Sequence, residues 1–331
     1  MGRRDVPPND PSHQGARHSG YTRAMQAAEP VSAARGDSRA SFDAAPLASL
    51  KVSTYFRVYD RIFAPYVGRP VTFVEVGVMH GGSLHMWRNF FGPDARIIGI
   101  DANPIAKRLE SDGFDIVIGD QADPHCWASF YRDVGPVDIL LDDGGHTFEQ
   151  QIVTAECAAR YVSDGRLVVT EDLHTSYMRA FHGPSSTSFV SYTKAMTDRI
   201  HARNGVASRF ATPEPAVFAL HTFESLVVLE IDRRACSQPS TVVWNEGARS
   251  DAATDVRHQA RSRVRAPTGR PGMRRFASHL DASGPIFRFA LRMARRALRA
   301  VRMAQSNARA RRQFELRERM ANDAHEPAST P

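Results

Sequence analysis

Two apolar runs end in acidic pairs, each followed closely by a histidine: LDDGGHTFEQQ at 141–151 and LVVTEDLHTSY at 167–177. Asp142, Asp143, Glu171 and Asp172 therefore stand together at strand ends if the strands are neighbours. Clustered carboxylates repel one another and resist ionisation unless a cation neutralises them. Oxygen-only ligands suit Mg²⁺, Mn²⁺ or Ca²⁺ rather than zinc. Such a cation orients a hydroxyl and lowers its pKa, and a nearby base then removes the proton. His146, one short turn beyond Asp143, is the candidate base. The plainer reading of Asp142 and Asp143 is helix capping and solvent exposure. His80 and His174 read more simply as hydrogen-bonding neighbours than as catalysts. A competing arrangement, His146 and His174 with Asp143, would suit an iron(II) oxygenase.

Such pairs need a frame that brings strand ends together. Five short aliphatic runs supply it: 71–78, 96–101, 114–120, 137–143 and 166–172. Continuous apolar runs, rather than alternating ones, predict strands covered on both faces, hence an α/β fold with a Rossmann-like, doubly wound, mostly parallel sheet. A strand at 221–232, paired with 216–220 across a short turn, adds a C-terminal antiparallel pair. Apolar spacing over 47–66 predicts a helix, or two short ones, leading into the domain.

Ligands of open α/β sheets bind beyond the carboxyl ends of the strands. The first such turn, EVGVMHGGSL, places Gly77, Gly81 and Gly82 where backbone can approach a ligand, and Ser83 where a helix can begin. Its G-x-x-x-G-G spacing is not the dinucleotide fingerprint, and no Lys-Ser/Thr pair follows to make a P-loop. Asp101 ends the second strand and can hold ribose hydroxyls; Asp120, with Gln121, ends the third and can edge an adenine. Ribose and adenine without pyrophosphate point to S-adenosylmethionine.

With those residues in place, VEVGVMHGGSLHMWRNFFGPDARIIGIDANP, GDQAD, DILLDDGGHTFEQQ and TEDLHTSY together resemble the class I S-adenosylmethionine-dependent methyltransferases of the macrocin and mycinamicin sugar O-methyltransferase type. Cephalosporin hydroxylase-like proteins share the pattern. The resemblance covers about 47–232 and implies metal-dependent methyl transfer to a sugar hydroxyl of a glycoside or glycan, in a homo-oligomer. By motif position it implies Asp143, Glu171 and Asp172 as ligands of Mg²⁺ or Mn²⁺ and His146 as the base. Glu75, Gly77, Gly81, Ser83, Asp101, Asp120, Gln121 and Asp142 would serve the cofactor side, Asp142 by supporting the loop. The segment 53–63 resembles the one that closes over the cofactor. Two departures stand out: Gly145 where the family carries Ser, and Leu50-Lys51 where it carries Asp-Lys.

Charge divides the chain. Residues 237–331 hold 19 arginines and no lysine against 8 acidic residues, a balance of +11, while the preceding residues hold 24 basic against 28 acidic, a balance of −4. Residues 1–45, rich in Pro, Gly, Ser, Ala and charge, read as a disordered tail, 46–236 as the catalytic domain, and 237–331 as an Arg-rich tail. Within that tail, the spacing over 285–303 predicts a basic amphipathic helix, suited to docking on the body or on another subunit, to an anionic membrane surface, and less to nucleic acid. Three widely spaced cysteines and no apolar leader predict a cytoplasmic enzyme, possible membrane contact being peripheral to the inner face. A non-catalytic ligand-binding scaffold, with the basic tail as its working part, is the alternative outside enzymology.

Overall fold

The computed structural model describes residues 35–205, 207–243, 245–247 and most of 289–312. The chain divides into two compact units, Met1–Val243 and Trp244–Pro331.

The first unit carries a seven-stranded sheet: β1 (Thr72–Val76), β2 (Arg96–Asp101), β3 (Asp115–Ile118), β4 (Ile139–Asp142), β5 (Arg166–Thr170), β6 (Val217–Phe223) and β7 (Leu226–Ile231). Their order is β3-β2-β1-β4-β5-β7-β6. The first five strands are parallel, and β7 runs antiparallel to both β5 and β6. The expected doubly wound architecture is therefore the observed one. The chain reverses direction between β1 and β4, which puts the ends of those strands side by side at the switch point where such folds bind ligands.

Alternate side chains of each strand feed two apolar layers. Phe73, Leu141, Val169 and Val228 face one layer, with α2 (Tyr55–Phe63) and α3 (Gly82–Phe91). Val74, Leu140, Val168 and Leu229 face the other, with α4 (Pro124–Val134), α5 (Phe148–Tyr161) and α6 (Phe189–Ala202). Burial on both faces is why these strands read as unbroken apolar runs. The first layer is dense in aromatics: Phe63, Phe73, Trp87, Phe90 and Phe91 are all fully buried, and the Phe73 and Trp87 ring centroids lie 4.8 Å apart.

Three expectations are corrected. The stretch 1–45 read as disordered contains a helix, α1 (Ser38–Asp43), capped by Asp37 and docked on the body: Ser38 Oγ donates to Phe56 O at 3.0 Å, and its backbone N–H to Asp60 at 2.8 Å. Its buried residues are Ser38 and Ser41, so no apolar period announced it. Residues 47–54 are not helical; they form an irregular strap that ends in a turn, and α2 begins only at Tyr55. The hairpin turns at Glu224–Ser225, not at 220–221, with Phe223 opposite Leu226. Ser225, at φ +57°, takes a left-handed turn conformation with no glycine to signal it.

In the first unit α7 (Arg233–Ser237) follows β7, Arg233 donating to the carbonyls of Ala159 and Val162. In the second unit the described residues between 289 and 312 are helical and exposed; 285–288 lie outside the described residues. None of the described helices is long and apolar enough to cross a membrane.

Candidate active site

A cleft of about 490 Å³ opens at the carboxyl ends of β1, β2, β3 and β4, within the range of small-ligand sites. Gly77, Ser83, Asp101, Asp120 and Gln121 line it, as do the loop Asp143–His146 and Asp172. Of the residues expected on the cofactor side, Glu75, Gly81 and Asp142 do not line it.

The glycines of the first turn are needed one by one. Gly77 has φ +85°, and a Cβ there would lie 2.2 Å from Asp143 O, because the loop after β4 crosses directly behind it. Gly81 (φ +93°) is the N-cap of α3, where a Cβ would strike Leu109. A Cβ on Gly82 would lie 2.3 Å from Leu47 O, since the strap passes over this turn. Ser49 and Leu50 of the strap also line the cleft, Leu50 being 80% exposed. Asp101 fixes the turn's far side, accepting from Val78 N at 3.0 Å and Asn103 N at 2.8 Å. Asp120 accepts from Ala122 N at 2.8 Å.

Gln121 and Asp142 brace the loop after β4. Gln121 donates to Asp142 Oδ1 at 2.9 Å and accepts from Gly145 N at 2.8 Å. Asp142 also accepts from Gly144 N at 3.2 Å. Asp142 is thus a loop support beneath the cleft rather than a wall of it. Burial pushes its carboxyl up to about 7, against the lowering effect of its bonds to Gln121 and Gly144. Gly145 leaves room for another amide: a Cβ there would lie 2.3 Å from Gln150 Oε1. That oxygen caps α5 by accepting from Thr147 N and Oγ1, at 3.2 and 2.8 Å. Gln150 fills the space a serine would need.

Asp143, His146 and Asp172 converge. Their ligand atoms lie within 4.8 Å of one another, the only such group of three or more among the described residues. His146 Nε2 is 3.9 Å from Asp143 Oδ1 and 3.5 Å from Asp172 Oδ2. Nδ1 of the same ring is buried without a partner. Both His146 and Asp172 have φ +57°. With Met79 of the cleft and Ser225, they account for four of the five non-glycine residues held at positive φ among the described residues. Such strain persists only where the surroundings over-determine it, and it clusters at functional sites. Here the surroundings are visible: Tyr55 OH donates to Asp172 Oδ1 at 2.8 Å, and Ser225 O accepts from Tyr55 OH and Leu173 N, each at 3.0 Å. His174 turns aside, its Nδ1 2.6 Å from Ser225 Oγ, so the two-histidine iron arrangement is not assembled.

Glu171 does not join this group. It is buried, with Oε1 accepting a short hydrogen bond from Tyr59 OH and Oε2 paired with Lys51 Nζ at 3.2 Å. Lys51, named from the sequence only in the Leu50-Lys51 departure, was given no role in the site there. Its side chain is 1% exposed, and Nζ also meets Asp143 at 2.6 Å and Glu75 at 3.3 Å. Trp87 Nε1 adds a bond to Glu75 at 3.1 Å. Burial alone would lower the Lys51 pKa, but Asp143 and Glu171 outweigh it and keep it well above the ordinary lysine value. One ammonium cannot match three carboxylates. Burial raises Glu171 to about 8 despite Lys51, and raises Glu75 as well.

The donor set fits a hard divalent cation, and the cleft fits an adenosyl ligand at its edge. No family model matches the chain. The 8-demethyl-8-alpha-L-rhamnosyl tetracenomycin-C 2'-O-methyltransferase of Streptomyces olivaceus is 32% identical over 192 residues, 54% of this chain and 50% of that one. The demethylmacrocin O-methyltransferase of Streptomyces fradiae is 32% identical over 187 residues, covering 52% and 47%. The chain thus spans about half the length of the curated relatives it matches. A solved structure of the MycE methyltransferase from the mycinamycin pathway, in complex with Mg and SAH, superposes with a TM-score of 0.51 at 26% identity, covering 57% of this chain and 51% of that one. The homologues of this α/β body are sugar O-methyltransferases.

Proposed function

We propose that this chain is an O-methyltransferase that uses S-adenosylmethionine and Mg²⁺ or Mn²⁺ to methylate a sugar hydroxyl of a glycoside or glycan. The observation that carries this reading is the convergence of Asp143, His146 and Asp172 on the wall of an adenosyl-sized cleft. When bound, the cation lowers the pKa of an acceptor hydroxyl and the cofactor supplies the methyl group. Asp143 and Asp172 would hold the cation, with Glu171 behind them. His146 Nε2, which faces Asp143 and Asp172, would take the hydroxyl proton. Asp101 would hold the ribose hydroxyls and Asp120 would edge the adenine, both lining the cleft. Glycoside acceptors incubated with labelled S-adenosylmethionine and Mg²⁺, read by mass spectrometry, test this. Methylated product should disappear with EDTA and fall at least about 10²-fold in Asp143→Ala. Product formation indifferent to both would overturn the mechanism.

A second reading, of the other unit, concerns location: the helix between 289 and 312 binds an anionic membrane surface. Its support is exposure of apolar and basic side chains together, Phe289 at 61%, Met293 at 49% and Val301 at 52% beside Arg295 and Arg296.

A further inference from the structure

Lys51 lies at the centre of the acidic site, yet none of the chemistry above uses it. Its three ammonium protons meet three carboxylates that arrive from three parallel strands: Glu75 in β1, Asp143 just beyond β4 and Glu171 just beyond β5. Its position is over-determined. Trp87 places its ring face 6.0 Å from Nζ, and Tyr59 ties the other oxygen of Glu171. The strap that carries it lines the cofactor cleft one and two residues earlier, at Leu50 and Ser49. A lysine that only balanced charge could reach in from solvent on a flexible stem; this one is enclosed, and it touches the carboxylate, Asp143, that also belongs to the Asp143–His146–Asp172 group.

From this juxtaposition we infer that Lys51 is a positioning residue, the resident cation of the acidic centre, which holds Asp143 and Glu171 in place before a divalent cation arrives and limits the negative charge that the cation meets. The inference rests on the metal reading above. Two consequences separate it from an ordinary buried ion pair. Removing the ammonium leaves buried carboxylates uncompensated, which weakens the metal-free protein. It also removes a positive charge 2.6 Å from Asp143, a proposed ligand, which strengthens attraction for a dication there. A purely structural pair predicts the first effect without the second.

The test uses the full chain as wild type, Lys51→Met and Lys51→Arg, with Mn²⁺ alone as the probe. Free Mn²⁺ is counted by electron paramagnetic resonance during titration, and thermal midpoints are read in EDTA and in Mn²⁺. Lys51→Met should melt lower in EDTA, bind Mn²⁺ at least about tenfold more tightly than wild type, and regain more of its midpoint on Mn²⁺ addition. Lys51→Arg should stay close to wild type in both readings. If Lys51→Met does not fold, Lys51→Met/Glu75→Gln is compared with Glu75→Gln alone, with the same tenfold expectation. Wild type that takes up no Mn²⁺ overturns the metal reading itself. Wild type that binds Mn²⁺, with an affinity that Lys51→Met leaves unchanged or weakens, overturns the inference about Lys51 alone.

Discussion

At the scale of single residues, the site is built from positions with no spare room. Gly145 shows it: a serine here would place its Cβ 2.3 Å from Gln150 Oε1, the atom that caps α5. Gly145→Ser should therefore displace Gln150 and cost about 1 kcal/mol in denaturant unfolding, the usual worth of an N-terminal cap. Gln150→Ala should cost a similar amount alone and little more on top of Gly145→Ser. Strict additivity of the two would show that they do not compete for one space. Asp142 makes a different prediction. Its carboxyl is raised to about 7 in the folded protein, against 3.8 ordinarily, because burial opposes its charge. Between those values the folded state keeps a proton that the unfolded state has lost, so this group makes stability fall as pH rises, by about 1.4 kcal/mol per unit. Asp142→Asn, followed in EDTA, should flatten that fall between about pH 4 and pH 7. An unchanged slope would place the titration elsewhere.

At the scale of elements, the aromatic layer beneath the site holds the cofactor turn and the strap together. Trp87 on α3 packs against Phe63 of α2 and Phe73 of β1, with ring centroids at 5.5 and 4.8 Å, while its Nε1 bonds Glu75. Trp87→Ala should destabilise the fold by about 3–5 kcal/mol in urea unfolding, through lost burial and a buried carboxylate short of a donor. A loss below about 1 kcal/mol would mean that the layer closes over the gap. The strands of this layer were legible because both faces are buried and the runs are unbroken. The acidic pairs were legible as strand ends for the same reason. Lys51 was not: it lies 92 residues from Asp143 and 120 from Glu171, inside a segment whose apolar spacing points to a helix rather than to a site. The strap looked helical by spacing, but the approach of Leu47 and Ala48 to Gly82 and the reach of Lys51 into the sheet override that local preference. Ser225 hid the hairpin turn, since a left-handed serine carries no turn signature of its own.

At the scale of the molecule, charge is sorted between the two units, about −4 before residue 237 and +11 after it. In the second unit the apolar positions Phe289, Leu291, Met293, Leu298 and Val301 spread over about 200° of the helix circumference, and Arg292, Arg295 and Arg296 fall within about 100° of the remainder. A helix of this pattern lies in the plane of a bilayer with its arginines near phosphates, each basic group adding about 1 kcal/mol at an anionic surface. Full-length protein should therefore sediment with phosphatidylglycerol vesicles and not with phosphatidylcholine vesicles, and should be released as salt shortens the screening length. The triple substitution Arg292→Glu, Arg295→Glu, Arg296→Glu replaces three attractions by three repulsions and should abolish sedimentation, while methyl transfer to a soluble glycoside stays at the wild-type rate. Sedimentation that survives both high salt and the triple substitution would mean that the arginines do not hold the protein at the surface, and the membrane reading of this helix would be wrong.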